Sequence, residues 1–174
     1  MLPSDYQSFI HQSRYSRWLD GEERRETWQE TVTRLLSFYR DFIKKNHDYS
    51  MPKEMFTDLY TAMVTLEIMP SMRAMMTAGN ALERNHIAAY NCSYLPVDSP
   101  RAFDECLYIL MHGTGVGFSV ERQYINQLPG VPDVLEDSET TIIVQDSKEG
   151  WFRGFKELIN LLYAGMLPRW DMSR

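Results

Sequence analysis

Two cysteines and four histidines are the side chains of this 174-residue sequence best suited to redox, nucleophilic or metal chemistry. A closed zinc site needs four thiolate or imidazole ligands at short, regular intervals, and His11, His47, His86 and His112 are too scattered to supply them. No Cys/His or Ser/His/Asp constellation assembles from the spacing either. Cys92 and Cys106 make at most one disulfide, so reduced thiols are the default. By itself Cys92, between Asn91 and Ser93 in a strand-like run, reads as a small buried hydrophobe, and Cys106, beside the apolar stripe of a helical segment, reads the same way. The run Gly113-Thr114-Gly115-Val116-Gly117 invites a phosphate-binding reading. It follows a helical pattern and precedes a strand pattern, however, which is the reverse of the dinucleotide fingerprint, and it lacks the Gly-Lys-Ser/Thr of a P-loop. A tight helix-to-strand turn is the plainer account. Ser71, just past a helix-ending proline, either meets an anion or bonds to its own backbone, and the second is the commoner role.

The elements that would hold these residues follow from periodicity. Residues 1–22 are a polar arm with interspersed aromatics. Trp28, Val32, Leu35, Leu36, Tyr39, Phe42 and Ile43 recur at steps of three and four and predict an amphipathic helix over 22–46. Pro52 starts a second helix and Pro70 ends it. The small-residue stretch 71–84 predicts irregular structure with one helical turn. Residues 89–95 have the length and aromatic content of a buried strand. Ser99-Pro100 opens a helix that stops at Gly113, and Phe118-Ser119-Val120-Glu121 alternates like a strand. Residues 129–138 read as an acidic loop, 140–144 as a β-branched strand, and 151–162 as a last helix ended by Gly165 and Pro168. Strands and helices in this order predict part of an α/β sheet behind an all-helical region. Three such strands leave open edges, as in an incomplete fold.

Composition narrows the function classes. With 44% hydrophobic residues the chain is globular rather than disordered, and its net charge of −6 provides no global field for nucleic acid or anionic lipid. No apolar run approaches the ~20 residues of a membrane span, and no leader precedes the first helix, so the cytoplasm is the expected location and no nucleic-acid or membrane partner is expected.

Four segments then carry a resemblance. Met69-Pro70-Ser71-Met72-Arg73, Asn91-Cys92-Ser93, Gly113-Thr114-Gly115-Val116-Gly117-Phe118-Ser119-Val120 and Glu149-Gly150-Trp151 occur in the order and approximate spacing of adenosylcobalamin-dependent ribonucleotide reductases. The sequence resembles that family over nearly its whole length. Tyr15-Ser16-Arg17-Trp18-Leu19 and Trp28-Gln29-Glu30-Thr31-Val32 look most like the monomeric, ribonucleoside-triphosphate-reducing branch. The fold this implies is α/β: a helical N-terminal region over 1–69, then, over 70–174, the first strands and helices of an incomplete ribonucleotide-reductase-type α/β barrel.

The resemblance also implies roles. Cys92 becomes one of the cysteine pair that supplies two electrons and two protons as the substrate's 2′-hydroxyl leaves as water. Ser71 matches a Ser/Thr that contacts substrate phosphates, Asn91 and Ser93 flank the thiol, and Gly113, Gly115 and Gly117 let backbone approach the nucleotide. Asp98 resembles an acidic position near the allosteric nucleotide in the wider superfamily. The family's cofactor is adenosylcobalamin, whose radical oxidises a further cysteine to a thiyl that takes the 3′-hydrogen. That cysteine, the second redox cysteine, a proton-handling glutamate and the cobalamin pocket lie in segments the family places beyond Arg174. The chain therefore reads as an N-terminal portion, inactive alone. Its implied partners are a ribonucleoside triphosphate substrate, a deoxynucleotide effector, an external dithiol reductant such as thioredoxin, and the C-terminal remainder of the reductase. The alternative from another class is a non-catalytic α/β interaction module that docks through the acidic loop.

Overall fold

In the computed structural model, which describes residues 2–173, the chain begins with a helix fixed by its first hydroxyl. Ser4 accepts the N–H of Gln7 and caps α1 (Asp5–Ile10), which widens into a π-helical turn over His11–Tyr15. Two-residue strands β1 (Trp18–Leu19) and β2 (Arg24–Arg25) form an antiparallel hairpin. Thr27 then starts the longest helix. Its hydroxyl accepts the N–H of Glu30 while the Glu30 carboxylate accepts the N–H of Thr27, a capping box that satisfies two orphan donors of α2 (Trp28–His47). Asp48, left-handed at φ 49°, stops the helix. The stripe expected from the spacing buries Trp28, Thr31, Val32, Leu35 and Leu36. Beyond Pro52, α3 (Lys53–Val64) packs against α2, and the Trp28 indole donates to the Val64 carbonyl at 3.2 Å.

The stretch expected to be irregular instead forms two short helices, α4 (Met72–Thr77) and α5 (Asn80–Arg84), then a 3₁₀ turn over His86–Ala89. Burial explains the difference: Ala74, Met75, Ala78, Leu82 and Ala88 all enter the core built on α2, and that packing outweighs weak local propensity. Gly79, at φ 106°, makes the break between α4 and α5. A buried polar network ties the arm to this core. Glu26 accepts from Arg34 at 2.7 and 2.9 Å and from the Thr31 hydroxyl at 3.0 Å, and Thr31 in turn meets His11 Nε2 at 2.9 Å. The same Arg34 guanidinium donates to the carbonyls of Met75 and Ala78, closing the C-terminal end of α4. This first unit extends to Tyr90, past the 69/70 division expected from the sequence.

The second unit, from Asn91, consists of two strand–helix–strand segments. β3 (Cys92–Pro96), α6 (Arg101–Met111) and β4 (Gly115–Ser119) come first, with β4 parallel to β3; a short helix, α7 (Arg122–Ile125), follows. β5 (Glu136–Ile143), α8 (Lys148–Tyr163) and β6 (Met166–Asp171) repeat the plan, again with a parallel pair, and α6 packs on α8. Among the described residues the two strand pairs do not hydrogen-bond to each other, so four longer strands stand where three were expected. Glu136 and Asp137 of the expected acidic loop lie within β5. Pro168 was expected as a helix stop but lies inside β6, and the β5–β6 register slips between Asp137 and Thr141, opposite it, because proline has no N–H to give the ladder.

Close packing explains two glycines of α8. A Cβ on Gly150 would lie 2.2 Å from the carbonyl oxygen of Gln145, in the loop that precedes the helix, and one on Gly154 would lie 2.9 Å from Val144 Cγ2 and 3.6 Å from Ile142 Cγ2. Gly150 thus lets the first turn close on that loop, and Gly154 seats α8 on the β5–β6 pair.

Candidate active-site strand pair

β3 and β4 bring together most of the residues singled out for chemistry. Their register sets Cys92 beside Gly115, Ser93 beside Val116, Tyr94 beside Gly117 and Pro96 beside Ser119. Side chains alternate along each strand, and laterally paired residues of a parallel pair share a face. Cys92, Tyr94, Gly115, Gly117 and Ser119 therefore share one face. That face is open: the Cys92 thiol is exposed and Tyr94 keeps 62% of its surface in solvent, whereas Leu95, on the opposite face, is 8% exposed. The buried-strand expectation for 89–95 thus holds for one side only, and Cys92 is not the small buried hydrophobe its local context suggested.

The glycine run divides by physical role. Gly113 has φ 79° and supplies the helix-to-strand turn after α6. Gly115 and Gly117 are extended strand residues, not turn residues. A Cβ on Gly115 would meet only the Asn91 carbonyl at 3.5 Å, and one on Gly117 only the Ser93 carbonyl at 3.7 Å, both ordinary contacts. Neither backbone conformation nor packing within the described residues requires glycine at these two positions, and together they leave a lane without side chains beside the thiol.

Asn91 holds the start of the pair through its carbonyl, which accepts the N–H of Gly115 at 2.9 Å, and the Ser93 hydroxyl donates to the Gly115 carbonyl at 3.2 Å. Asp98 is half-buried in the connection from β3 to α6, beyond the strand, and so is not on the thiol face. Ser71 belongs to the first unit, where its hydroxyl accepts the N–H of Ala74 as the cap of α4 and donates to the Ala89 carbonyl, each at 3.3 Å. Its observed contacts are therefore with backbone. Cys106 is half-buried on α6. Among the described residues no group of three or more His, Cys, Asp or Glu could hold a metal ion, and no helix is long and apolar enough to cross a membrane.

One residue of the open face had not been singled out. The Tyr94 phenol is held above the ordinary tyrosine pKa: interaction with Ser119 lowers it, but interaction with Tyr124 of α7, partial desolvation and the neighbouring Glu121 together outweigh that. Ser119 itself accepts the N–H of Glu121 at 3.3 Å. The two-residue step from Cys92 to Tyr94 was the available signal, since it alone places both side chains on one side of a strand.

Comparison with known proteins agrees with this architecture. A family model described as the ribonucleotide reductase alpha domain matches residues 2–80. Adenosylcobalamin-dependent ribonucleoside-triphosphate reductase of Lactobacillus helveticus is 28% identical over 77% of this chain and 21% of its own length. The protein of the same name from Lacticaseibacillus paracasei is 30% identical over 70% of this chain and 20% of its own length. A crystal structure of a B12-dependent (class II) ribonucleotide reductase superposes with a TM-score of 0.78 at 22% identity, covering 94% of this chain and 32% of that one. The chain spans about a fifth of the length of these curated relatives.

Proposed function

Because this chain belongs to the ribonucleotide reductase family, we propose that it is the N-terminal part of a reductase that converts ribonucleotides to 2′-deoxyribonucleotides by radical chemistry. Cys92 is its redox residue. The observation that carries this reading is the pairing of an exposed thiol with a lane of two strand glycines whose lack of a side chain nothing within the described residues requires. A ligand that must approach the backbone beside a sulfur explains both features.

In the reaction, two thiols become a disulfide, the 2′-carbon exchanges its hydroxyl for hydrogen, and the hydroxyl leaves as water. Cys92 supplies one of those thiols, and the C-terminal remainder supplies the other. The β3–β4 ladder fixes the sulfur relative to the glycine lane, so that a ribose seated there is held in one orientation to it. Gly115 and Gly117 admit the sugar, and the Asn91 and Ser93 contacts to Gly115 keep the lane in register. Ser71 contacts the substrate phosphates in the whole protein, and Asp98 contributes to binding a deoxynucleotide effector. A ribonucleoside triphosphate is the substrate, and an external dithiol such as thioredoxin regenerates the pair. The strand pairs complete their barrel with strands from the remainder.

Adenosylcobalamin supplies the radical when bound, but the described residues do not fit it. Cofactor sites enclose most of their ligand within a largely apolar wall. The thiol face is open, and the larger cavities of the first unit, 790 and 610 Å³, are lined by charged groups including Arg24, Arg25, Glu26, Lys45 and Glu83. The seat of the corrin is expected in the remainder.

The test joins this chain to the rest of the reductase polypeptide. Cys92→Ser is expected to abolish deoxynucleotide formation with folding intact, and Gly115→Val to abolish nucleotide binding. Normal turnover by Cys92→Ser refutes the assignment.

A further inference from the structure

A cavity of about 170 Å³ lies where the N-terminal arm meets α2, the end of α3 and the start of α4, and we propose that it is a socket for one phenol ring, supplied by a tyrosine side chain of the polypeptide outside this chain. The size and chemistry of the socket stand without the reductase reading; only the source of the ring, the C-terminal remainder, rests on it.

Trp28, Leu66 and Met72 form part of the wall, and Tyr6 and Met69, 72% and 49% exposed, line it as well. A dry apolar cavity of about 150 Å³ takes one benzene ring, so this one has room for a single six-membered ring and little more. His11, 5% exposed, is the buried polar group of the lining; Gln7, also in the lining, is exposed. The imidazole stands edge-on to the Trp28 ring, with centroids 5.5 Å apart. Hydrogen bonding fixes which of its nitrogens is free. The Thr31 hydroxyl donates its one proton to Glu26 at 3.0 Å, so toward His11, at 2.9 Å, it can only accept, and Nε2 must carry the hydrogen. Burial holds the His11 pKa below the ordinary 6.5, so at neutral pH the ring is uncharged and Nδ1 is an acceptor. Among the described residues Nδ1 has no hydrogen-bond partner, and the Trp28 N–H is already given to the Val64 carbonyl. The lining therefore suits a flat apolar ring that brings one donor, as a phenol does. A charged group would lose its hydration there without an opposite charge to meet.

Leu66 gives a second, independent sign. The N–H of Glu67 returns to the Ala62 carbonyl at 2.8 Å and that of Leu66 to Met63 at 3.1 Å, which closes α3 in the motif whose left-handed position is usually glycine. Leu66 holds that position at φ 64°. A left-handed leucine is strained, and such strain persists where the side chain serves a site; this side chain lines the cavity. The chain spans about a fifth of its curated relatives, so most of the polypeptide that could present a tyrosine lies outside it. The plainer account is a packing gap between arm and core that admits any small apolar molecule, and it predicts no preference for a donor.

The two accounts separate when carbon-13 methyl spectra of the 174-residue chain are titrated with p-cresol and with toluene, which differ by one hydroxyl. A phenol socket gives saturable shifts confined to the methyls of Leu66, Met69, Met72 and their neighbours in the lining, and binds p-cresol about fivefold more tightly, the net worth of one hydrogen bond. His11→Phe removes the acceptor but keeps a ring, and makes the two ligands equal. Leu66→Gly suits the backbone, and so folds, but opens the wall and weakens both. If His11→Phe does not fold, the preference of the unaltered chain and the Leu66→Gly result decide. Equal binding of p-cresol and toluene by the unaltered chain, a preference that survives His11→Phe, or no localised shift with either ligand overturns the socket. In the chain joined to the rest of the reductase polypeptide, p-cresol should no longer bind. Undiminished binding there overturns the assignment of the ring to the remainder, as does loss of binding on concentrating the 174-residue chain alone, the mark of a second copy. Cys92→Ser with normal turnover would remove the redox reading and leave the socket in place.

Discussion

Replacing Glu26 by alanine tests whether the N-terminal arm and the α4 region are one cooperative structure. The Glu26 side chain is 5% exposed and Arg34 opposite it 15% exposed, so the pair is screened far less than a surface ion pair. Removing the carboxylate leaves the guanidinium buried with only the Met75 and Ala78 carbonyls, and leaves the Thr31 hydroxyl and the Arg17 N–H without their acceptor. Breaking one side of a buried pair costs about 3–5 kcal/mol. The residual exposure of Arg34 puts the expected loss at the lower end, about 3 kcal/mol. The assay is urea denaturation of the chain followed by far-ultraviolet circular dichroism, with Glu22→Ala as a control. Glu22 pairs with Arg24 at the surface, where its side chain is 57% exposed, and its loss should barely move the midpoint. The double variant Glu26→Leu/Arg34→Met should recover much of the loss, since an apolar pair leaves no stranded charge. Equal effects of Glu26→Ala and Glu22→Ala would refute the reasoning, because they would mean that the network does not couple the arm to the helical core.

Two further perturbations follow from the same structure. His11 is buried against Thr31 and the Trp28 ring, and burial lowers its pKa below the ordinary 6.5, with Glu26 opposing and Arg34 reinforcing the shift. The unfolded chain therefore binds this proton more readily, so stability is full above about pH 6.5 and falls as the pH drops toward the folded value; His11→Gln should flatten that limb in midpoints measured from pH 7 to 5. Gly150→Ala gains about 1 kcal/mol of helix propensity but forces a Cβ to 2.2 Å from the Gln145 carbonyl oxygen, a backbone atom that cannot swing aside. The clash should dominate, giving a net loss of about 1–3 kcal/mol, and a thermal melt showing stabilisation would contradict the close approach of the first turn of α8 to the preceding loop.

How far the sequence revealed the fold depended on whether the deciding interaction was local. The start of α2 was expected at 22 and lies at Trp28, where the Thr27–Glu30 capping box sets it and the Arg24–Arg25 strand precedes it. The body of α2 was legible because its apolar stripe acts within one helix. The helices α4 and α5 were not, because Met75, Ala78 and Leu82 are held by residues of α2 far along the chain, and a run of small and polar residues carries no sign of that. β6 was obscured by Pro168, which normally argues against a strand; its place at a register slip depends on β5, nearly 30 residues earlier. Within the candidate site, Cys92 and the glycines were found through resemblance, whereas its exposure was not. Whether a strand shows its sulfur to solvent is decided by which face α6 covers, and the sequence of β3 alone does not specify that.

The glycines show how a structure changes the weight of a motif. By local pattern alone Gly113, Gly115 and Gly117 share one plain explanation, a tight turn. In the structure only Gly113 has the positive φ that a turn demands. Gly150 and Gly154 answer to a second demand, close approach of α8 to the loop before it and to the strand pair beneath it, and the atoms that would clash are identifiable. Gly115 and Gly117 meet neither. An extended glycine with room for a Cβ weakens a strand, because it costs more backbone entropy than alanine and contributes no side chain to packing. Two of them on the face that carries an exposed thiol run against stability. A requirement that opposes stability and has no source within the described residues points to something that approaches this face from outside. That argument favours the thiol strand pair over the larger cavities of the helical unit as the place where a ligand docks.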